Sequence, residues 1–258
     1  MQDFYFNGHW LSEFGGRLTD NPSINISKRQ FKVIEIPGKS KSSYIDKGYY
    51  SNVDISLSIA IIANYNGLKS NQLINNLIHW LAYANGYCEY RDTQHPKMFT
   101  TAYLTNFDNI VRELNLFSKT TIKFSREAFW YSNIGKAEKT YIADDIISGI
   151  EIINPYPILS KPTVSIDFTN PVSVSNKLQI IINGDVLSCT PYLETEKMVI
   201  DFDNMEAVCY GPDTKKLLYF PFDIGLGLYE GKSTISIKRA TGDNDIKSVS
   251  ITPNWRCL

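Results

Sequence analysis

Three prolines within eight residues, Pro155, Pro157 and Pro162, do more than any other feature to limit how this chain can fold. Each fixes φ and removes a donor from any sheet ladder, whereas Pro96 alone interrupts the stretch from Gly38 to Asn154. The segment Glu151–Pro162 therefore reads as an extended connection between two modules. Long strands and one strong helix precede it, and short strands separated by turn dipeptides follow it. The expected organisation is a mainly β chain with an N-terminal β-sandwich carrying one α-helix over residues 1–140. A C-terminal β-sandwich would occupy residues 150–250.

In the first module, Phe4 to Leu11 reads as two strands around Asn7-Gly8, a pair that tolerates positive φ at both turn positions. Gln30 to Ile36 is a strand ended by Pro37-Gly38, and the polar stretch from Lys39 to Lys47 reads as an exposed loop, a candidate contact arm. The alternation of Val53, Ile55, Leu57, Ile59 and Ile61 with small polar residues is the strongest strand signal. From Ser70 to Gly86, Leu73, Leu77, Trp80, Leu81 and Ala84 share one helical face, with Ser70 as cap and Asn85-Gly86 as stop. That places a helix over about residues 70–85. Further strands are expected at Tyr87–Arg91, Met98–Phe107 and Thr120–Trp130.

In the second module, Thr163–Phe168, Lys177–Ile182, Asp185–Thr190, Met198–Asp203, Glu206–Tyr210, Ser233–Lys238 and Lys247–Thr252 read as strands. Asn183-Gly184 and Gly242–Asp245 are turns between them, and Phe220 to Gly227 is a kinked connection. Even spacing without a helical stretch predicts a jelly-roll-like sandwich.

Composition narrows the function more than it specifies it. Hydrophobic residues make up 43% and charged residues 21%, which excludes a disordered chain. With 26 basic against 27 acidic side chains there is no clustered surplus to hold nucleic acid, and sequence-specific binding to it is not expected. The N-terminus carries Asp3 where a signal peptide would be basic, and no apolar run approaches a membrane span. Four scattered cysteines, Cys88, Cys189, Cys209 and Cys257, lack the spacing of a zinc site or disulfide framework and read as free thiols.

No catalytic constellation emerges. His9, His79 and His95 are far apart in sequence and no Gly-x-Ser-x-Gly elbow accompanies them. His79 and Cys88 are the one pair near enough in sequence for a thiol–imidazole dyad, and the Asn85-Gly86 stop separates them. Asp201-Phe-Asp203-Asn204 and Asp243-Asn-Asp245 fail the calcium-loop pattern at Met205 and Ile246 and read as turn-forming acids. Gly225-Leu-Gly227 lacks the third glycine and following helix of a phosphate loop. Neither a catalytic, a cofactor nor a metal site is therefore assigned. The aromatic content of 13% admits sugar stacking, but core and interface packing are the favoured account of it.

An ordered series of short motifs carries a resemblance. Phe6-Asn7-Gly8, Ile36-Pro37-Gly38, Gly48-Tyr49-Tyr50-Ser51-Asn52-Val53 and the terminal Ile251-Thr252-Pro253-Asn254-Trp255-Arg256 are similar to the distal tail proteins of long-tailed phages of Gram-positive bacteria. Ile182 to Asp185, Ile200 to Asp203, Tyr219 to Phe222 and Gly231 extend the similarity through the second half. The resemblance implies an N-terminal domain that forms a homohexameric ring, with stacked rings as a variant, and a galectin-like C-terminal sandwich. It also implies that residues 251–258 return to the first domain, with Trp255 as a buried anchor. Such a ring would sit at the distal end of the virion tail after synthesis in the host cytoplasm. Its partners would be further copies of itself, the tail tube protein, a tail-associated baseplate protein, and receptor-binding or adsorption proteins. The near-neutral composition suits a channel that must not hold DNA. The function expected is thus structural and non-enzymatic. The alternative is recognition of a host cell-wall polysaccharide through the C-terminal sandwich, and a peptidoglycan hydrolase is a third, weaker reading.

Overall fold

The computed structural model describes residues 2–20, 25–62, 64–113, 117–172, 177–223, 225–240 and 245–258. Two compact units emerge, one of residues 1–130 with Leu258 and the other of residues 131–257. The division therefore falls ahead of the proline-rich stretch. Ile150–Asn154, expected as part of a connector, is a strand inside the second unit. Pro155 ends that strand, so the prolines punctuate an element and not a domain boundary.

The strands of the first unit are β1 (Phe4–Phe6), β2 (His9–Trp10), β3 (Gly16–Leu18), β4 (Arg29–Ile34), β5 (Ser43–Tyr50), β6 (Val53–Ile62), β7 (Cys88–Asp92), β8 (Met98–Phe107), β9 (Val111–Glu113) and β10 (Phe117–Arg126). One sheet runs in the order β2-β1-β7-β8-β10-β6-β3, with β9 beside β10. Its spine is the pairing of β6 with β10, in unbroken antiparallel register from Val53–Arg126 to Ile62–Phe117. The alternation in β6 sends Val53, Leu57, Ile59 and Ile61 into the core, where Phe4, Phe6, Ile122 and Phe124 meet them. Asn7 (φ 44°) and Gly8 (φ 92°) close the β1–β2 hairpin as their residue types allow.

The one α-helix among the described residues of this unit, α1 (Ser70–Ala82), buries Leu73, Ile74, Leu77, Trp80 and Leu81. It begins at Ser70, where the expected range begins, but its cap lies one residue earlier than expected and it ends sooner. Lys69 is the extended capping residue, its N–H accepted by Gln72 Oε1 at 3.0 Å, and Ser70 is already helical. The helix stops at Ala82, ahead of Asn85-Gly86, and Ala84 lies outside it. Trp80 fixes the packing: its ring stacks on Phe4 (5.8 Å) and Phe14 (4.7 Å), and its Nε1 donates to the Phe6 carbonyl at 2.8 Å.

The second unit continues with β11 (Trp130–Ser132), β12 (Lys139–Ile142), a helix missed in the sequence, α2 (Ala143–Ser148), β13 (Ile150–Asn154), β14 (Thr163–Phe168), β15 (Leu178–Ile182), β16 (Asp185–Cys189), β17 (Lys197–Asp201), β18 (Glu206–Tyr210), β19 (Lys215–Leu217), β20 (Gly231–Arg239), β21 (Ile246–Thr252) and β22 (Arg256–Cys257). A six-stranded sheet, β12-β21-β14-β17-β18-β19, and a four-stranded sheet, β13-β20-β15-β16, contribute to one core. Val164, Ile166, Ile180, Ile182, Met198, Ile200, Ile235, Ile237, Val249 and Ile251 fill it. Asn183 and Gly184 form the β15–β16 turn with φ of 54° and 94°, and Asn183 Oδ1 accepts from the Thr234 N–H at 2.9 Å. Of the expected turn Gly242–Asp245, residues 242–244 lie outside the described residues.

The terminal Trp255 is buried, as an anchor should be, but in the core of this second unit and not in the first. Neighbouring polar groups explain why. Asn254 N–H donates to Gly135 O (2.8 Å), Asn254 Nδ2 to Lys161 O (2.9 Å), and Arg256 to Leu159 O (2.8 Å) and Asp203 Oδ1 (2.7 Å). These partners all belong to the second unit, whereas the last residue, Leu258, groups with the first.

A projecting hairpin as candidate assembly surface

The sequence leaves Lys39–Lys47 as a loop, but the chain from Arg29 to Tyr50 is a two-stranded sheet of its own. β4 pairs with β5 in antiparallel register, Phe31 opposite Asp46, Lys32 opposite Ile45, Val33 opposite Tyr44 and Ile34 opposite Ser43. Only residues 35–42 connect the strands. At the root, Ser51 N–H donates to Lys28 O (3.0 Å), Ser27 Oγ donates to Ser51 O, and Tyr50 meets Phe129 edge to face at 5.2 Å.

Neither face of this arm is covered by the described residues. Tyr44 is 65% exposed, Val33 and Tyr49 each 53%, Ile45 51% and Phe31 46%. Side chains on opposite faces of a two-stranded ribbon have no third layer to bury them, and so much apolar surface in one place exceeds what a soluble monomer ordinarily leaves open. What holds the arm in shape is local and polar. Arg29 Nε donates to Asp46 Oδ2 (2.6 Å), its guanidinium lies over the Tyr50 ring (5.6 Å), and Asp46 Oδ1 accepts from the Gly48 N–H (2.9 Å). The Arg29 hydrogen bond, then that of Gly48, holds the Asp46 carboxyl below the ordinary aspartate value, and Asp46 in turn raises Arg29.

The arm is also electrically distinct, a clustered basic surplus that the near-equal totals of the whole chain conceal, contrary to the expectation from sequence. Lys28, Arg29, Lys32, Lys39, Lys41 and Lys47 stand against Glu35 and Asp46, giving net +4 in a chain of net −1, so the remainder carries net −5. A basic, apolar ribbon beside an acidic remainder can complement a second copy of the same molecule.

The residues considered for chemistry are spread over the structure. His9 Nδ1 bonds Glu13 (2.8 Å), His79 stacks on Tyr83 (6.1 Å), and His95 bonds Asp92 (2.8 Å) while stacking on Trp130 (4.3 Å). Cys88 opens β7 and all four cysteines are free thiols. Asp201 accepts from the backbone of Asp203 and Asn204, Asp203 pairs with Arg256, and Asp245 pairs with Arg239, so these acids serve turns and ion pairs. Asp243 and Asn244 lie outside the described residues. Among the described residues no group of three or more His, Cys, Asp or Glu is placed to hold a metal ion, and no helix is long and apolar enough to cross a membrane. In the second unit β13, β20, β15 and β16 contain no aromatic residue, and the exposed Tyr192, Tyr219 and Tyr229 lie outside the strands.

No protein-family model matches the sequence, and no curated protein sequence matches it. Solved structures do. The SPP1 Dit (gp 19.1) protein, described as a paradigm of the hub adsorption apparatus in phages infecting Gram-positive bacteria, aligns over 100% of both chains with a TM-score of 0.69 at 12% identity. A chain of the phage p2 baseplate in its activated conformation aligns over 97% of both chains with a TM-score of 0.52 at 8% identity. The chain is mainly β and has the Dit-like fold along its full length.

Proposed function

We propose that this protein is a structural hub of a phage tail, assembling as a homohexameric ring that joins the tail tube to a baseplate or adsorption apparatus. The observation that carries the reading is the β4–β5 arm on a Dit-like fold: a basic ribbon with apolar residues on both faces, in a chain whose remainder is acidic. A contact between one copy's arm and a different patch on the next is heterologous. Such contacts generate a closed ring when the rotation per subunit closes. The tube protein, a tail-associated baseplate protein and adsorption proteins are the partners of such a ring, which belongs at the distal end of the virion tail. No catalytic role is assigned.

Light scattering coupled to gel filtration tests this across a concentration series. A mass near six times the 29.4 kDa chain is expected, and Val33→Asp with Tyr44→Asp should reduce it to the single chain. A wild-type chain that stays monomeric at every concentration, and forms no ring with its tube protein, overturns the proposal.

A further inference from the structure

A cleft of about 380 Å³ opens in the first unit between the β1–β2 hairpin and helix α1. Its floor is aromatic, with Phe14 stacked on Trp80 at 4.7 Å and 13°. One wall is a helical stripe, Asn76, His79 and Tyr83, at spacings of three and four residues that put them on one side of the helix axis. Asn7 and His9 form the opposite wall.

We propose that this cleft binds a neutral saccharide, a hexose or N-acetylhexosamine unit. Three features support the assignment. The first is the pairing of ring faces with planar polar groups. Tyr83 is 78% exposed and Phe14 partly exposed, offering apolar faces for the C–H side of a sugar ring. The side chains of Asn7, Asn76, His79 and Tyr83 make no hydrogen bond to the protein among the described residues, so their donors and acceptors remain for ligand hydroxyls. The second is orientation. The Glu13 carboxylate accepts from His9 at 2.8 Å and from the Trp10 N–H at 3.0 Å. A carboxylate only accepts, so the His9 proton sits on Nδ1 and Nε2 is the ring nitrogen left for a ligand.

The third is charge. Helix α1 carries no Asp, Glu, Lys or Arg in its 13 residues, and the one carboxylate nearby, Glu13, is already satisfied by Trp10 and His9. No Lys or Arg is among the described residues lining the cleft to pair with an acidic sugar. The site belongs to the first unit and not to the C-terminal sandwich, the place of the alternative sugar reading, and it does not depend on ring formation.

Saturation-transfer NMR on the full chain tests it, with glucose, galactose and N-acetylglucosamine as probes and glucuronate as the charged comparator. Transfer to at least one neutral sugar is expected, with less to glucuronate. Tyr83→Ala and Asn76→Ala remove exposed groups and should each weaken the titrated affinity about tenfold while leaving the urea midpoint unchanged. No transfer to any of the three sugars overturns the proposal. So does transfer that persists undiminished in both variants.

Discussion

Trp80 and Cys189 show what burial asks of single residues. Trp80 is both the largest side chain that α1 delivers to the sheet and a donor whose partner, the Phe6 carbonyl, has no exit to water. Trp80→Ala should therefore cost about 3–5 kcal/mol in urea unfolding, from lost packing and cavity. Trp80→Phe keeps the stack on Phe4 and Phe14 and should cost about 1–3 kcal/mol, the penalty of an unpaired buried acceptor. A Trp80→Phe variant as stable as the wild type would show that the hydrogen bond contributes nothing. At Cys189, burial first, then the neighbouring Cys209, pushes the thiol up to about 12, with Arg239 opposing. Its thiolate is scarce at pH 8, so iodoacetamide followed by mass spectrometry should label Cys88 and Cys257 well before Cys189. Comparable labelling rates for Cys189 and Cys88 would contradict that burial.

At the scale of elements, what the sequence discloses follows from what stabilises each element. β6 and α1 are legible because a core demands their periodicity: five alternating aliphatics in one, and Leu73, Leu77, Trp80 and Leu81 in the other. β5 is not, because Ser43-Tyr-Ile-Asp-Lys-Gly-Tyr-Tyr50 faces solvent on both sides and no buried face imposes alternation. Helix α2 is hidden for another reason. Its six residues bury Ile146 alone, too little for a 3.6-residue period to register. The aromatic cleft was likewise out of reach, since Phe14 and Tyr83 meet only through the fold, although the absence of charge along α1 is visible in the sequence.

The arm's one internal charge pair makes a prediction at the same scale. Arg29 and Gly48 lower the Asp46 pKa in the folded protein, so the pair stabilises the arm above the unfolded aspartate value of 3.8. That contribution disappears as pH falls through the lower folded value, since the unfolded chain takes up its proton first. An NMR titration of the Asp46 carboxyl should give a midpoint below that of free aspartate, and Arg29→Gln should move it upward. An identical midpoint in both proteins would mean that the salt bridge does not form in solution.

Across the whole molecule, the separation of charge decides how assembly should respond to salt. An arm of net +4 approaching a remainder of net −5 is drawn in over the Debye length, about 10 Å at 0.1 M salt and about 3 Å at 1 M. Once docked, Phe31, Val33, Tyr44 and Ile45 leave water, and that contribution is indifferent to screening. Steering and holding are thus carried by different residues of the same ribbon. Raising salt should slow the approach to the assembled mass, followed by time-resolved light scattering, without dissolving rings already formed. Lys39→Glu with Lys41→Glu should slow it further at low salt and lose most of that effect at high salt. Val33→Asp with Tyr44→Asp should instead abolish the final mass at any salt. An assembly rate that ignores both salt and the lysine reversals would show that the charge separation has no part in association, leaving the apolar faces of the arm to find their partner unaided.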